Sequence, residues 1–159
     1  MIVTLDAFKV FLGVDPTDTS KDAYYSSVLQ TAEDFISSIF GGNLLSANYI
    51  EMFINTDITI YPTHYPITQV VSVVGDGVDI TSSCVFNKFS VFLPSKYTNL
   101  TIQYTAGFAT VPSEIQTAIL LKGEMLVKIQ NDSKPDKTYD ERIEKMIKDL
   151  LFPYVRDVV

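Results

Sequence analysis

A single histidine and a single cysteine limit the chemistry open to this 159-residue chain. His64 stands between Pro62 and Pro66, so a Ser-His-Asp arrangement would have to use it, yet no G-x-S-x-G elbow occurs anywhere in the sequence. It reads as a surface loop residue. Cys84, followed by Val85 and Phe86, reads as a small buried apolar side chain rather than a reactive thiol, and one cysteine cannot build a disulfide framework. Asp15, Asp18 and Asp22 are three and four residues apart instead of alternating as in a calcium loop, and the only nearby glycine, Gly13, precedes them; capping and solvation explain them better. Gly75-Asp76-Gly77 lacks the third glycine and the following helix of a dinucleotide fingerprint, and no Walker loop is present. Asp140 and Glu144 lie at helical spacing beside Lys145 and Lys148, the pattern of a solvated face. The residues point away from an enzyme: no catalytic, cofactor-binding or metal-binding residue is assigned.

The elements around these residues have a clear order. Thr4 can cap a first helix over 5–12, with Leu5, Phe8, Phe11 and Leu12 on one side and Gly13 at its end. Tyr25, Val28, Leu29, Ala32, Phe35, Ile36 and Ile39 form the apolar stripe of a second helix over 23–40. The period then changes to two, with strands expected at 49–54, 58–61, 69–74, 85–86, 89–93 and 100–104. Gly75-Asp76-Gly77 reads as a hairpin turn and Asn87-Lys88 as a second, weaker turn. Val111-Pro112 restarts the chain as a long helix whose stripe is Ile115, Ala118, Ile119, Met125, Leu126 and Ile129. A polar hinge over 131–137 follows. Thr138 to Glu141 has the spacing of a capping box, and Ile143, Met146, Ile147, Leu150 and Leu151 supply the stripe of a final helix stopped at Pro153.

Composition fits one domain with a real core: 47% of residues are hydrophobic and 19% charged. Nineteen acidic against twelve basic side chains give a net charge of −7, a sign that repels phosphate backbones and argues against nucleic-acid binding. The sequence opens with no signal-peptide pattern, and no apolar run approaches the ~20 residues that span a bilayer, so a membrane role is not expected. The fold class is α+β, a bundle of about four helices with a small antiparallel β-region inserted between the second and third.

The run L-T-I-Q-Y-T-A-G-F-A-T-V-P-S-E-I-Q-T-A-I-L-L from Leu100 resembles the head-tail connector (adaptor, or head completion) proteins of tailed bacteriophages, which carry a Tyr-Thr-x-Gly turn, a short spacer, a Val-Pro and a helix with alanine near its start. Residues 5–12 resemble that family's first helix, 23–40 its second, and Leu150-Leu151-Phe152-Pro153-Tyr154-Val155-Arg156 its Leu-Leu-x-Pro-Tyr-x-Arg-like end. The middle, about residues 45–99, is longer and more strand-like than in the shortest members.

The resemblance implies a structural virion neck protein, made in the host bacterial cytoplasm, that docks on the portal protein as a ring of copies, twelve-fold like the portal. Such a ring extends the DNA channel, lets DNA pass without specific binding, and offers a surface to the next neck or tail protein. It also implies one connector domain over 1–159, divided as 1–44 helical, 45–107 β-rich, 108–130 long helix and 131–159 final helix and tail. The apolar tail over 154–159 either packs back on the domain or docks elsewhere; in the docking reading Phe152, Tyr154, Val155 and Arg156 are the expected portal contacts, being residue types suited to an anchor entering a pocket. The reading from another class is a small non-enzymatic binding module that recognises a cellular protein partner; portal and capsid genes next door would separate the two.

Overall fold

A computed structural model describes residues 1–131 and 137–155. The chain is α+β; the described residues form four α-helices, with antiparallel sheets between the second and third, as the change of period predicts. The described residues divide into a helical unit, Met1–Ile39 with Val111–Val155, and a β unit, Phe40–Thr110.

The helical unit contains α1 (Leu5–Phe11), α2 (Asp22–Ile39), α3 (Ser113–Asn131) and α4 (Lys137–Leu151). Thr4 caps α1 as expected, its hydroxyl accepting from the Ala7 amide at 3.2 Å. α3 packs against α1, α2 and α4. It buries Ile115, Ala118, Ile119, Leu121 and Met125, whereas Ile129, expected on the same stripe, lies exposed one turn further on. Phe35 of α2 is likewise exposed and lies under the Lys122 ammonium, 4.2 Å from its ring centre. On α4 only Ile143, Ile147 and Leu151 are buried; these stand four apart and make a narrower stripe than the sequence suggests, with Met146 outside it. Thr138 lies inside the first turn of α4 rather than capping it. Most of the expected hinge falls outside the described residues.

Close approach explains one glycine. A Cβ on Gly123 would stand 2.6 Å from the Phe8 ring, so α3 can meet α1 here only without a side chain.

Among the described residues of this unit, Glu33 and Lys9 are charged residues that are buried. Glu33 accepts from the Ile2 and Val3 amides at 2.6 and 2.9 Å, tying the chain start to α2. Lys9 is fully buried, and its ammonium donates to Asp22 at 2.6 Å and to the Pro16 carbonyl at 2.8 Å. Of the three aspartates considered for a calcium loop, Asp15 and Asp18 accept local bonds from Thr17 and Ser20, and Asp22 serves Lys9.

The β unit holds two sheets. In the larger, β1 (Ala47–Ile54), β7 (Asn99–Ala106), β3 (Ile67–Gly75) and β4 (Val78–Asp79) lie in the order β1-β7-β3-β4, all antiparallel. In the smaller, the order is β2-β6-β5, from β2 (Thr59–Ile60), β5 (Val85–Phe86) and β6 (Val91–Phe92). The alternation read in the sequence is realised on central β7, where Leu100, Ile102, Tyr104 and Ala106 face the core. Gly75 pairs with Val78, leaving Asp76-Gly77 as a two-residue turn. Both have positive φ, 48° and 84°, as a twisted hairpin of this length requires. Asn87 organises the second turn through its side-chain oxygen, which accepts from the Phe89 and Ser90 amides.

Candidate functional site

The expected contact residues sit at the end of α4. Phe152 is 66% exposed, and its amide closes the last helical turn on the Lys148 carbonyl. Tyr154 and Val155 are half-buried, and their amides both donate to the Leu151 carbonyl, so the chain curls back after the helix instead of running straight out. The Tyr154 hydroxyl donates to Glu114 in the first turn of α3; desolvation and that carboxylate push the tyrosine above its ordinary range, while Glu114 is held below its own, chiefly by its own backbone amide and the Ser113 hydroxyl. The structure thus leaves Phe152 presented outward and fastens Tyr154 to the bundle. Arg156 lies outside the described residues. Beside this end, Phe35, Ile39, Ile147 and Leu151 line an apolar groove of about 210 Å³ rimmed by Lys122, Lys148 and Glu144.

The lone histidine is not the free surface residue that the sequence predicts. The proline-flanked loop lays His64 over β1, where its ring stacks on Tyr49 with centroids 3.7 Å apart and planes 14° from parallel. Its Nδ1 is 3.3 Å from Glu51 and 3.4 Å from the Tyr104 hydroxyl. Tyr104 in turn donates to Glu51, and that carboxylate also accepts from the Thr63 amide at 3.1 Å and the Thr63 hydroxyl at 3.2 Å. Burial first, then the bond to Glu51, raises the Tyr104 hydroxyl well above its usual range and keeps it a neutral donor.

The sequence signal for this cluster is weak. Tyr49 and Glu51 stand two apart on a strand and so share its inner face, but His64 and Tyr104 join them only through the tertiary fold. Accepting from Tyr104 and from both the amide and the hydroxyl of Thr63, Glu51 works as a clamp that fastens the loop to the sheet. Such a saturated carboxylate is poorly placed to act as a base.

Cys84 is half-buried against the β core, and its thiol donates to the Ile80 carbonyl at 3.4 Å. Burial, with Asp79 adding to it, pushes the thiol up and disfavours the reactive thiolate, in line with the structural role expected of it. Among the described residues, no group of three or more His, Cys, Asp or Glu side chains could hold a metal ion, and no helix is long and apolar enough to cross a membrane.

No protein-family model matches the chain, and no curated protein matches it. Solved structures do. A chain in the virion of the native gene transfer agent (GTA) particle aligns with a TM-score of 0.65 and 17% identity over 94% of this chain and 89% of that chain. A chain in the neck of the empty GTA particle, computed with C6 symmetry, aligns at 0.61 and 16% over 91% and 89%. A third, in the neck of the native GTA particle computed with C12 symmetry, aligns at 0.57 and 15% over 94% and 91%. This chain has their fold. The likeness covers about nine-tenths of each chain, so it takes in both the helical and the β units, including the strands over 45–99 that the sequence comparison with the shortest connector proteins left unmatched.

Proposed function

We propose that this protein is a structural, non-enzymatic neck component of a phage-like particle, in which residues 1–159 act as one connector domain. The observation that carries the reading is the fold shared over nearly the whole length with chains of GTA necks and virions. The connector resemblance in the Tyr104–Gly107 turn, Val111-Pro112 and the Leu150–Arg156 end supports it independently, because it rests on residue types rather than on backbone shape.

In this role, copies of the chain form a ring on the portal, extend its channel and present a surface to the next neck or tail protein. The C6 and C12 symmetries of the GTA necks support a repeated subunit, and a twelve-fold ring is the arrangement we favour. One heterologous contact repeated around the axis closes such a ring. A subunit of net charge −7 suits a conduit, since a wall with little affinity for phosphate lets DNA slide.

The portal contact is assigned to Phe152, Tyr154, Val155 and Arg156. Phe152 is the outward anchor of the set, and the curl after Leu151 fixes its direction. Co-sedimentation with DNA-filled heads that lack this protein tests the assignment. The full chain should pellet with the heads, while a chain ending at Pro153 and carrying Phe152→Ala, which lacks all four contact side chains, should keep its melting temperature within a few degrees and lose binding. If that folded variant pellets as well as the full chain, the contact moves to the helices.

A further inference from the structure

Three large apolar side chains of one strand stand in the open: Ile50, Met52 and Ile54 are 69%, 80% and 74% exposed. The register explains their direction. Tyr49, Glu51 and Phe53 pair with Tyr104, Ile102 and Leu100 and share their inward face, so the alternate residues of β1 must project outward. β1 is also an edge of its sheet.

Exposed edges are ordinarily blunted by lysine, proline or a bulge. β1 reads A-N-Y-I-E-M-F-I, with no lysine and no proline, and it pairs with β7 without a register shift. Its one charge, Glu51, belongs to the inward face, where Tyr104 and Thr63 hold it. The residues paired with the stripe on β7, Thr101 and Gln103, and Ser72 beyond them on β3 are uncharged, while at the end of the strand Asp76 accepts from the amide of Asn99, the partner of Ile54.

We infer that the outward face of β1 is a docking surface for a second copy of this chain, the subunit-to-subunit contact of the ring. This inference rests on the ring reading above. Charge selects a copy as the occupant: two subunits of −7 repel, and the uncharged stripe of Ile50, Met52 and Ile54 is where they approach at least cost. Three neighbouring large apolar side chains, each more than two-thirds exposed, make a contiguous patch of the kind that marks an interaction site. In a closed ring the contact is heterologous, so the β1 face of one subunit meets a different surface of the next.

The test places the photo-reactive residue p-benzoyl-phenylalanine at position 52 of the full chain and irradiates purified particles. Adducts of twice the chain mass, with peptides from two copies, are expected. Adducts to another protein alone, or none from a chain present in the particles, would overturn the inference and leave the neck reading standing. Absence of the unmodified chain from particles, read on the same gel, would instead sink the neck reading and the inference with it. As a second arm, the exposed pair Ile50→Glu with Met52→Glu should keep its circular dichroism and melting curve but enter particles at least tenfold less than the parent chain. Parental incorporation of that folded variant would also overturn the inference.

Discussion

Replacing Asp22 with alanine should destabilise the helical unit more than removing the lysine that Asp22 serves. The reason lies in unequal burial. The Lys9 side chain is 1% exposed and that of Asp22 34%, so losing the aspartate strands a charge that water cannot reach, whereas losing the lysine leaves a carboxylate that water can. Breaking a fully buried pair from one side costs about 3–5 kcal/mol, and the partial exposure of Asp22 with the remaining Pro16 carbonyl brings Asp22→Ala down to about 2–3 kcal/mol. Lys9→Met keeps the apolar stem and gives up the bonds to Pro16 and Asp22, at about 1 kcal/mol. The double variant should be no worse than Asp22→Ala, because the stranded ammonium is then gone. At about 2–4 °C per kcal/mol for a chain of this size, the single changes should lower the melting temperature by about 4–12 °C and 2–4 °C respectively. Thermal unfolding followed by circular dichroism at 222 nm reads both. If Lys9→Met costs as much as Asp22→Ala, the ammonium is hydrated and the burial argument fails.

Three further outcomes are expected. Gly123→Ala should lower stability by up to about 2 kcal/mol in thermal unfolding even though alanine favours a helix interior by about 1 kcal/mol, because the new Cβ meets the Phe8 ring; a stabilised variant would mean the two helices separate freely. Tyr104 has a hydroxyl raised above its unfolded value, so its contribution is complete below about pH 10 and fades as pH climbs toward the folded value; Tyr104→Phe should therefore be less stable than the parent at pH 7 and show a shallower loss of stability above pH 10, and parallel pH curves for the two proteins would contradict the Glu51 clamp. With a net charge of −7, the free subunit should give no saturable duplex-DNA binding in an anisotropy titration at physiological salt, below even the non-specific range of about 10⁻⁴ to 10⁻⁶ M, and salt-sensitive binding would argue against a passive channel wall.

Local rules carried the elements. Thr4 capped α1, the alternation from Leu100 fixed the face of β7, and Asp76-Gly77 turned the hairpin, because each depends on neighbours within a few residues. Pairing did not follow from those rules: β7 lies between β1 and β3, about 50 and 30 residues away in sequence, and nothing local distinguishes that order from a meander. The same separation hid the His64 cluster, whose Glu51 and Tyr104 partners meet it only when the sheet forms. Lys9 misleads in another way. On a seven-residue helix a lysine reads as solvated, and its burial is visible only once the loop through Pro16 folds over it and brings Asp22 within reach. At the chain end, the residue types Phe152 and Tyr154 suggested one anchor, yet the structure treats them differently, leaving the first exposed and bonding the second to Glu114.

The measurement that bears most directly on the neck assignment is cryo-electron microscopy of heads that lack this protein, imaged before and after its addition. A new ring of density is expected below the portal, with twelve copies of the chain around the channel. Heads that gain no density at the portal, under conditions where the added protein is folded and in excess, would contradict that assignment.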